Sequence, residues 1–220
     1  MDAVVMAGGT GKRLGLEEKP LTMILGKPMI SYVLEALLGS KNIDRIFVAT
    51  SPGVKNTNQW LLDFIKRHKN VRMIKTKGDG FVNDMVSAVD EAGITGGVLI
   101  TMADLPLITP SLIDRTIEKY SEVKTPALSV HMKLEVCTRL GLRPDTVFHK
   151  NGGFIVPCGI NILDAKRIRE EQEDYDLILD DEELALNVNT VDDLTACERY
   201  LEKKYPGSKK AAYIADSIFR

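Results

Sequence analysis

Short apolar runs alternate with amphipathic stretches along most of this chain, and that alternation predicts its class of fold. Ala3–Met6, Arg45–Ala49, Val71–Lys75 and Val98–Met102 read as strands, mostly buried on both faces as parallel strands are. Between them, Ile30, Val33, Leu34, Leu37 and Leu38 recur at helical spacing within Pro28–Leu38, with Pro28 suited to a first helical turn. Trp60, Leu61, Phe64 and Ile65 mark a second helix, and Val82, Met85, Val86 and Val89 a third. Thr109, just before Pro110, is the expected N-cap of a fourth. This order predicts an α/β, Rossmann-like, mostly parallel sheet with helices on both faces and right-handed crossovers.

From about Ala127 the rhythm changes. Leu128–His131, Phe154–Val156 and Ile160–Leu163 read as further strands, with Arg139–Gly153 as a loop-rich connection. Thr190 and Asp193 form a capping box that opens a helix running to about Tyr205. The expected division is one domain over 1–205 and a C-terminal tail over 206–220. The apolar faces of 28–38 and 191–203 serve either internal packing or a homodimer.

Composition narrows the classes of function. The 220 residues carry 29 basic and 31 acidic side chains, a net charge of −2, so a general nucleic-acid binder with a basic excess is not expected. Positive charge gathered in one loop must then serve a compact anion. Cys137, Cys158 and Cys197 are widely spaced and odd in number, which suits a reducing cytoplasm and argues against structural zinc. No apolar run reaches the length of a membrane span.

The candidate chemistry lies directly after the first strand. Ala7, Gly8, Gly9, Thr10, Gly11, Lys12 and Arg13 form a glycine-dense, basic loop, with Lys19 and Pro20 a few residues on. Glycine permits positive φ and close backbone approach to a ligand, and successive bare N–H groups make an anion-binding nest. A Walker A loop needs Gly-x-x-x-x-Gly-Lys-Ser/Thr, which no window supplies. A dinucleotide fingerprint would need glycine where Leu14 stands. The pattern fits a polyphosphate cradle; the alternative is a glycine-rich turn whose bases are merely solvated.

Ligands of such sheets bind beyond the carboxyl ends of the strands. Asp104 ends the Val98–Met102 strand there and is placed to hold Mg²⁺, a hard cation that prefers oxygen ligands and substrate phosphates; capping the following turn is its other use. Asn189 completes the metal site or shapes its own turn. Asp193 is accounted for by the capping box. Thr50 and Ser51 would border the base, and Gly78 and Gly80 would let it lie on the backbone. Asp79 or Asp84 would accept the N–H donors of guanine. His68, His131 and His149 are isolated in the sequence, so no acid–base pair is expected.

The first loop resembles the signature of nucleotidyltransferases of the molybdenum-cofactor guanylyltransferase and sugar-nucleotide pyrophosphorylase type. Further blocks, at Glu18–Leu21, Phe47–Pro52, Gly78–Phe81, Val156–Asn161 and Asn187–Leu194, are similar to those of archaeal GTP:adenosylcobinamide-phosphate guanylyltransferases. The resemblance spans about 1–203 and is loose over 105–152. It implies transfer of GMP from GTP to a corrinoid phosphate with release of diphosphate. Arg13 would bind the β/γ-phosphates, Lys19 would polarise the α-phosphate, and Asp104 with Asn189 would hold Mg²⁺. Val156, Pro157, Gly159 and Asn161 would line the acceptor site. The rivals are transfer to molybdopterin or a sugar phosphate, and a module that binds GTP without turning it over.

Overall fold

The computed structural model describes residues 1–11, 15, 18–150 and 152–206. The first half builds β1 (Asp2–Met6), a two-residue hairpin of β2 (Met23–Ile24) and β3 (Lys27–Pro28), α1 (Met29–Gly39), β4 (Ile46–Thr50), α2 (Lys55–Arg67), β5 (Val71–Lys75), α3 (Phe81–Ala92) and β6 (Gly97–Met102). The second half adds α4 (Pro110–Glu122), β7 (Ala127–Lys133), α5 (Leu134–Arg139), β8 (Phe148–Lys150), β9 (Gly153–Asp164), β10 (Asp174–Leu179) and α6 (Val191–Lys204).

The main sheet has the order β5-β4-β1-β6-β9-β7-β10, and β8 pairs with β9. β1 pairs in parallel with β4 and β6, β4 with β5, and β7 with β10. Among the described strands of this sheet β9 alone is reversed, antiparallel to β6 and β7. The sheet is therefore mixed but mostly parallel, as the strand–helix rhythm requires. The chain runs outward from β1 to β5, then returns to β6 on the other side of β1. That switch opens a crevice beyond the carboxyl ends of β1 and β6.

β1 shows why central strands are apolar throughout. Ala3 and Val5 belong to the core beneath α1, α2, α4 and α5, while Val4 and Met6 belong to the core beneath α3. Both sets are buried, and each valine or methionine among them stabilises by roughly 1.5–3 kcal/mol. A third cluster joins Ile24 and Met29 to Leu186, Val188, Cys197 and Leu201, fastening α6 to the start of α1. The inward face of α1, including Ile30, Val33, Leu34 and Leu37, is thus used within the chain.

Some expectations need correction. Pro28 precedes α1 as its N-cap residue and pairs with Met23, so it stands one position before the first turn. Phe154–Val156 and Ile160–Leu163 are parts of the single strand β9. Between them the pairing with β7 slips, because Ser129 faces Asn161 while His131 faces Pro157, and Gly159 takes φ +71 at that irregularity. The stretch read as loop contains β8; α5 and β10 were also unforeseen. β10 carries Tyr175, Leu177 and Leu179 on alternate positions, but in an acid-rich run that hides them. The N-cap of Thr109 holds, its side chain accepting from the Leu112 N–H at 3.2 Å. The tail from 207 onward lies outside the described residues.

Candidate functional site

The crevice at the switch point is a cleft of about 430 Å³ lined by Ala7, Gly9, Thr10, Gly11, Lys19, Pro20, Met29, Asp104 and Asn189, among others. Its walls are built from backbone outward. The Ala7 N–H donates to the Ala49 carbonyl at 2.8 Å, and the Ala103 N–H to that of Met6 at 3.1 Å, so the ladders of β1 persist into both loops. The Lys19 N–H donates to the Gly9 carbonyl at 3.2 Å, closing the signature loop on itself.

Gly8 and Gly9 do not use positive φ, contrary to expectation. What matters at Gly8 is close approach: a Cβ there would lie 3.1 Å from Cβ of Ser51, whose hydroxyl donates to the Gly8 carbonyl at 2.9 Å. Ser51 therefore braces the loop. Thr50 is wholly buried, its hydroxyl turned to the Ile74 carbonyl of β5, because it is still part of the sheet. Lys12 and Arg13 lie outside the described residues.

Lys19 is held by its neighbour. The buried Glu18 carboxylate accepts from the N–H groups of Asn56 and Thr57, at 2.7 and 2.6 Å, and from the Thr57 hydroxyl at 2.7 Å. Burial acts to raise the pKa of Glu18, but these bonds to the first turn of α2 outweigh it and hold the carboxyl below its usual value. Glu18 is not among the site residues expected from the sequence, where its only signal is its place beside Lys19 and Pro20.

The ammonium of Lys19 pairs with Oδ2 of Asp104 and donates to Oδ1 of Asn189 at 2.7 Å. Asn189 arrives from the far end of the chain. The Val188 N–H donates to the Asp104 carbonyl at 3.0 Å, and Asp193 accepts from the N–H groups of Asn189 and Thr190 at 3.0 and 2.8 Å. The capping box thus orients Asn189 and uses up the side chain of Asp193.

Asp104 is buried, and its Oδ1 has no hydrogen-bond partner among the described residues. A buried carboxylate oxygen left unsatisfied is costly, and a divalent cation is the ligand that such an oxygen suits. Among the described residues no three His, Cys, Asp or Glu gather as a metal cage.

The base-side residues are spread more loosely. Gly78 and Gly80 take φ +78 and +100, and Oδ1 of Asp84 accepts from the N–H groups of Gly78 and Asp79 at 3.0 and 3.3 Å. Asp84 therefore shapes this turn, while Asp79 is exposed. Of the expected acceptor residues, Pro157, Gly159 and Asn161 share one face of β9, and Val156 is buried in the core on the other. Among the described residues no histidine lines the cleft. His68 stacks on Phe64, His131 is buried near Phe148, and His149 meets Phe154.

Residues 3–152 match the MobA-like NTP transferase domain. The chain belongs to that family. The adenosylcobinamide-phosphate guanylyltransferase of Methanocaldococcus jannaschii is 33% identical over 203 residues, covering 92% of this chain and 98% of that protein. A Thermococcus kodakarensis protein named "Probable molybdenum cofactor guanylyltransferase" is 32% identical over 132 residues, covering 58% and 57%. Among solved structures, a CMP:2-keto-3-deoxy-manno-octonic acid synthetase complexed with CTP aligns with a TM-score of 0.69 at 16% identity, covering 93% of this chain and 98% of that one. The 4-diphosphocytidyl-2C-methyl-D-erythritol synthase of Anaerococcus prevotii gives 0.68 at 13%, covering 91% and 95%. These two speak for the fold alone, a mixed, mostly parallel α/β sheet. No helix among the described residues is long and apolar enough to cross a membrane.

Proposed function

We propose that this chain transfers GMP from GTP to adenosylcobinamide phosphate, releasing diphosphate. The observation that carries this reading is the likeness to the Methanocaldococcus jannaschii enzyme, which runs through the carboxyl half where the acceptor must be chosen. The likeness to the protein named for molybdenum cofactor covers little more than half of either chain, so transfer to molybdopterin has weaker support.

The cleft suits this chemistry. A phosphomonoester is dianionic near neutral pH and attacks without a strong base, which fits a cleft without histidine. The obstacle is repulsion between two anions, and preorganised positive charge lowers it. Lys19, steered by Glu18 and carried on the closed loop, would stabilise charge developing on the α-phosphate. Backbone N–H groups of Gly8 to Gly11 would hold the remaining phosphates, with Arg13 on the leaving diphosphate. Asp104, through its unpartnered Oδ1, and Asn189 would hold Mg²⁺, which supplies charge neutralisation at the phosphates. A module that merely binds GTP has no need of Lys19, Asp104 and Asn189 converging on one point. We place the reaction in the cytoplasm, in keeping with three free, buried cysteines.

The test is diphosphate release from GTP with and without adenosylcobinamide phosphate, beside molybdopterin and a sugar phosphate. Release that needs the corrinoid phosphate supports the proposal. Release with another acceptor, or GTP binding without release, refutes it.

A further inference from the structure

The geometry points to a second task for Lys19: its ammonium and the divalent cation compete for the same oxygens, so the protein without nucleotide rejects free metal. Metal and nucleotide are then taken up together, the phosphates drawing the ammonium away as the ion enters. This rests on the guanylyl-transfer reading and adds to it how the cleft is loaded.

The contacts of the ammonium are those the ion would need. Nζ of Lys19 pairs with Oδ2 of Asp104 and donates to Oδ1 of Asn189 at 2.7 Å, and these are the two residues on which the metal seat rests. The pair is sheltered, the Lys19 and Asp104 side chains being only 16% and 11% exposed. One positive charge already balances the Asp104 carboxylate. A divalent ion beside it would leave an excess of positive charge where water screens poorly. Among the described residues no further carboxylate lines the cleft to offset that excess. Yet Oδ1 of Asp104 has no partner among them, so Lys19 meets only part of what this carboxylate can bind. The ammonium is a stand-in, displaceable once it has another anion to serve.

That anion would lie on the signature loop, and the root of Lys19 is built to serve both places. Its N–H donates to the Gly9 carbonyl at 3.2 Å, and its own carbonyl accepts from the N–H and hydroxyl of Thr22 at 3.1 and 2.8 Å. Glu18, one residue earlier, is tied to the first turn of α2. The backbone is therefore fixed, and the side chain is what can swing. Its stem already runs beside the loop, since a Cβ on Gly9 would stand 3.8 Å from both Cβ and Cδ of Lys19. A triphosphate on the loop supplies negative charge for both cations. By linkage, nucleotide that draws Lys19 away strengthens metal binding, and metal strengthens nucleotide binding by the same factor.

The probe is Mn²⁺, titrated into the full chain without nucleotide and followed by electron paramagnetic resonance. Lys19→Met keeps the stem and removes the charge, and it should bind Mn²⁺ at least about tenfold more tightly than the wild type. Lys19→Arg keeps the charge and should not. Without metal, Lys19→Met should melt below the wild type because Asp104 loses its partner, and Mn²⁺ should recover that loss while barely moving the wild type. Lys19→Gln makes the same comparison where Lys19→Met does not fold. Equal Mn²⁺ affinity in the wild type and the uncharged variant overturns the inference. Tight binding that survives the addition of Asp104→Asn to Lys19→Met puts the ion elsewhere and overturns it too. Equilibrium dialysis of GTP separates this from the reading beneath it. If Mn²⁺ strengthens GTP binding and Asp104→Asn removes that gain, the metal seat stands even where the competition fails. If Mn²⁺ leaves GTP binding by the wild type unchanged, the seat is lost and this inference with it.

Discussion

Lys19 and Asp104 illustrate how single residues divide the work of the cleft. Lys19 pairs with one oxygen of Asp104 and reaches Asn189, leaving the other Asp104 oxygen buried and unpartnered. Removing one preorganised charge at a phosphoryl centre costs about 10²–10³ in rate. Lys19→Ala, Asp104→Asn and Arg13→Ala are therefore expected to lose at least that much kcat while keeping the native fold, measured by diphosphate release and circular dichroism. Near-normal turnover in any of them would remove that residue from the machinery. Gly159 is a residue of a different kind. With φ +71 and neighbours at 3.2 Å, Gly159→Ala should lose about 1–3 kcal/mol of stability in urea melts, since alanine is strained there and must push Met102 aside.

Two helix beginnings act at the next scale up, since each fixes a cleft residue that lies outside the helix. α2 offers the N–H groups of Asn56 and Thr57 to Glu18, one residue before Lys19. Because the folded state holds this carboxyl below its ordinary value of 4.5, its contribution is complete above that value and fades as pH falls through the folded pKa. Glu18→Gln should then cost about 2 kcal/mol near neutral pH, and the gap from wild type should close as acid protonates Glu18. A melting-temperature difference that stays constant from neutral to acid pH would contradict this. α6 does the same for Asn189 through its capping box. Thr190→Ala is expected to cost about 1 kcal/mol of stability and also to raise the Mg²⁺ concentration needed for half-maximal rate, because the turn that aims Asn189 loosens.

At the scale of the whole molecule, the cleft gathers elements from both ends of the chain, β1 with its loop, the end of β6, and the segment before α6. Ligand binding there should stiffen the full sheet rather than one lobe. GTP with Mg²⁺ at a hundredfold excess over Kd is expected to stabilise by about 2.7 kcal/mol, seen as a raised melting temperature, and Asp104→Asn should lose much of that shift. An equal shift with and without the metal would speak against a metal held by Asp104.

Much of this was legible in the residues alone. β1, β4, β5 and β6 are central strands whose burial on both faces leaves an unbroken apolar run. Local chemistry marked the N-caps at Thr109 and Thr190, the signature loop, and Asp104 at a strand end. Tertiary structure alone decided the rest, because those features depend on partners distant in sequence. The reversed strand β9 joins two segments across an irregularity set by its pairing with β7. β10 finds its place only because β7 offers an edge to an acid-flanked strand. Thr50 turns inward to β5, Val156 falls on the buried side of its strand, and Glu18 gains its purpose from a helix some forty residues on. Periodicity and capping are carried by neighbours along the chain, whereas the direction of a side chain in a sheet is fixed by the strand lying against it.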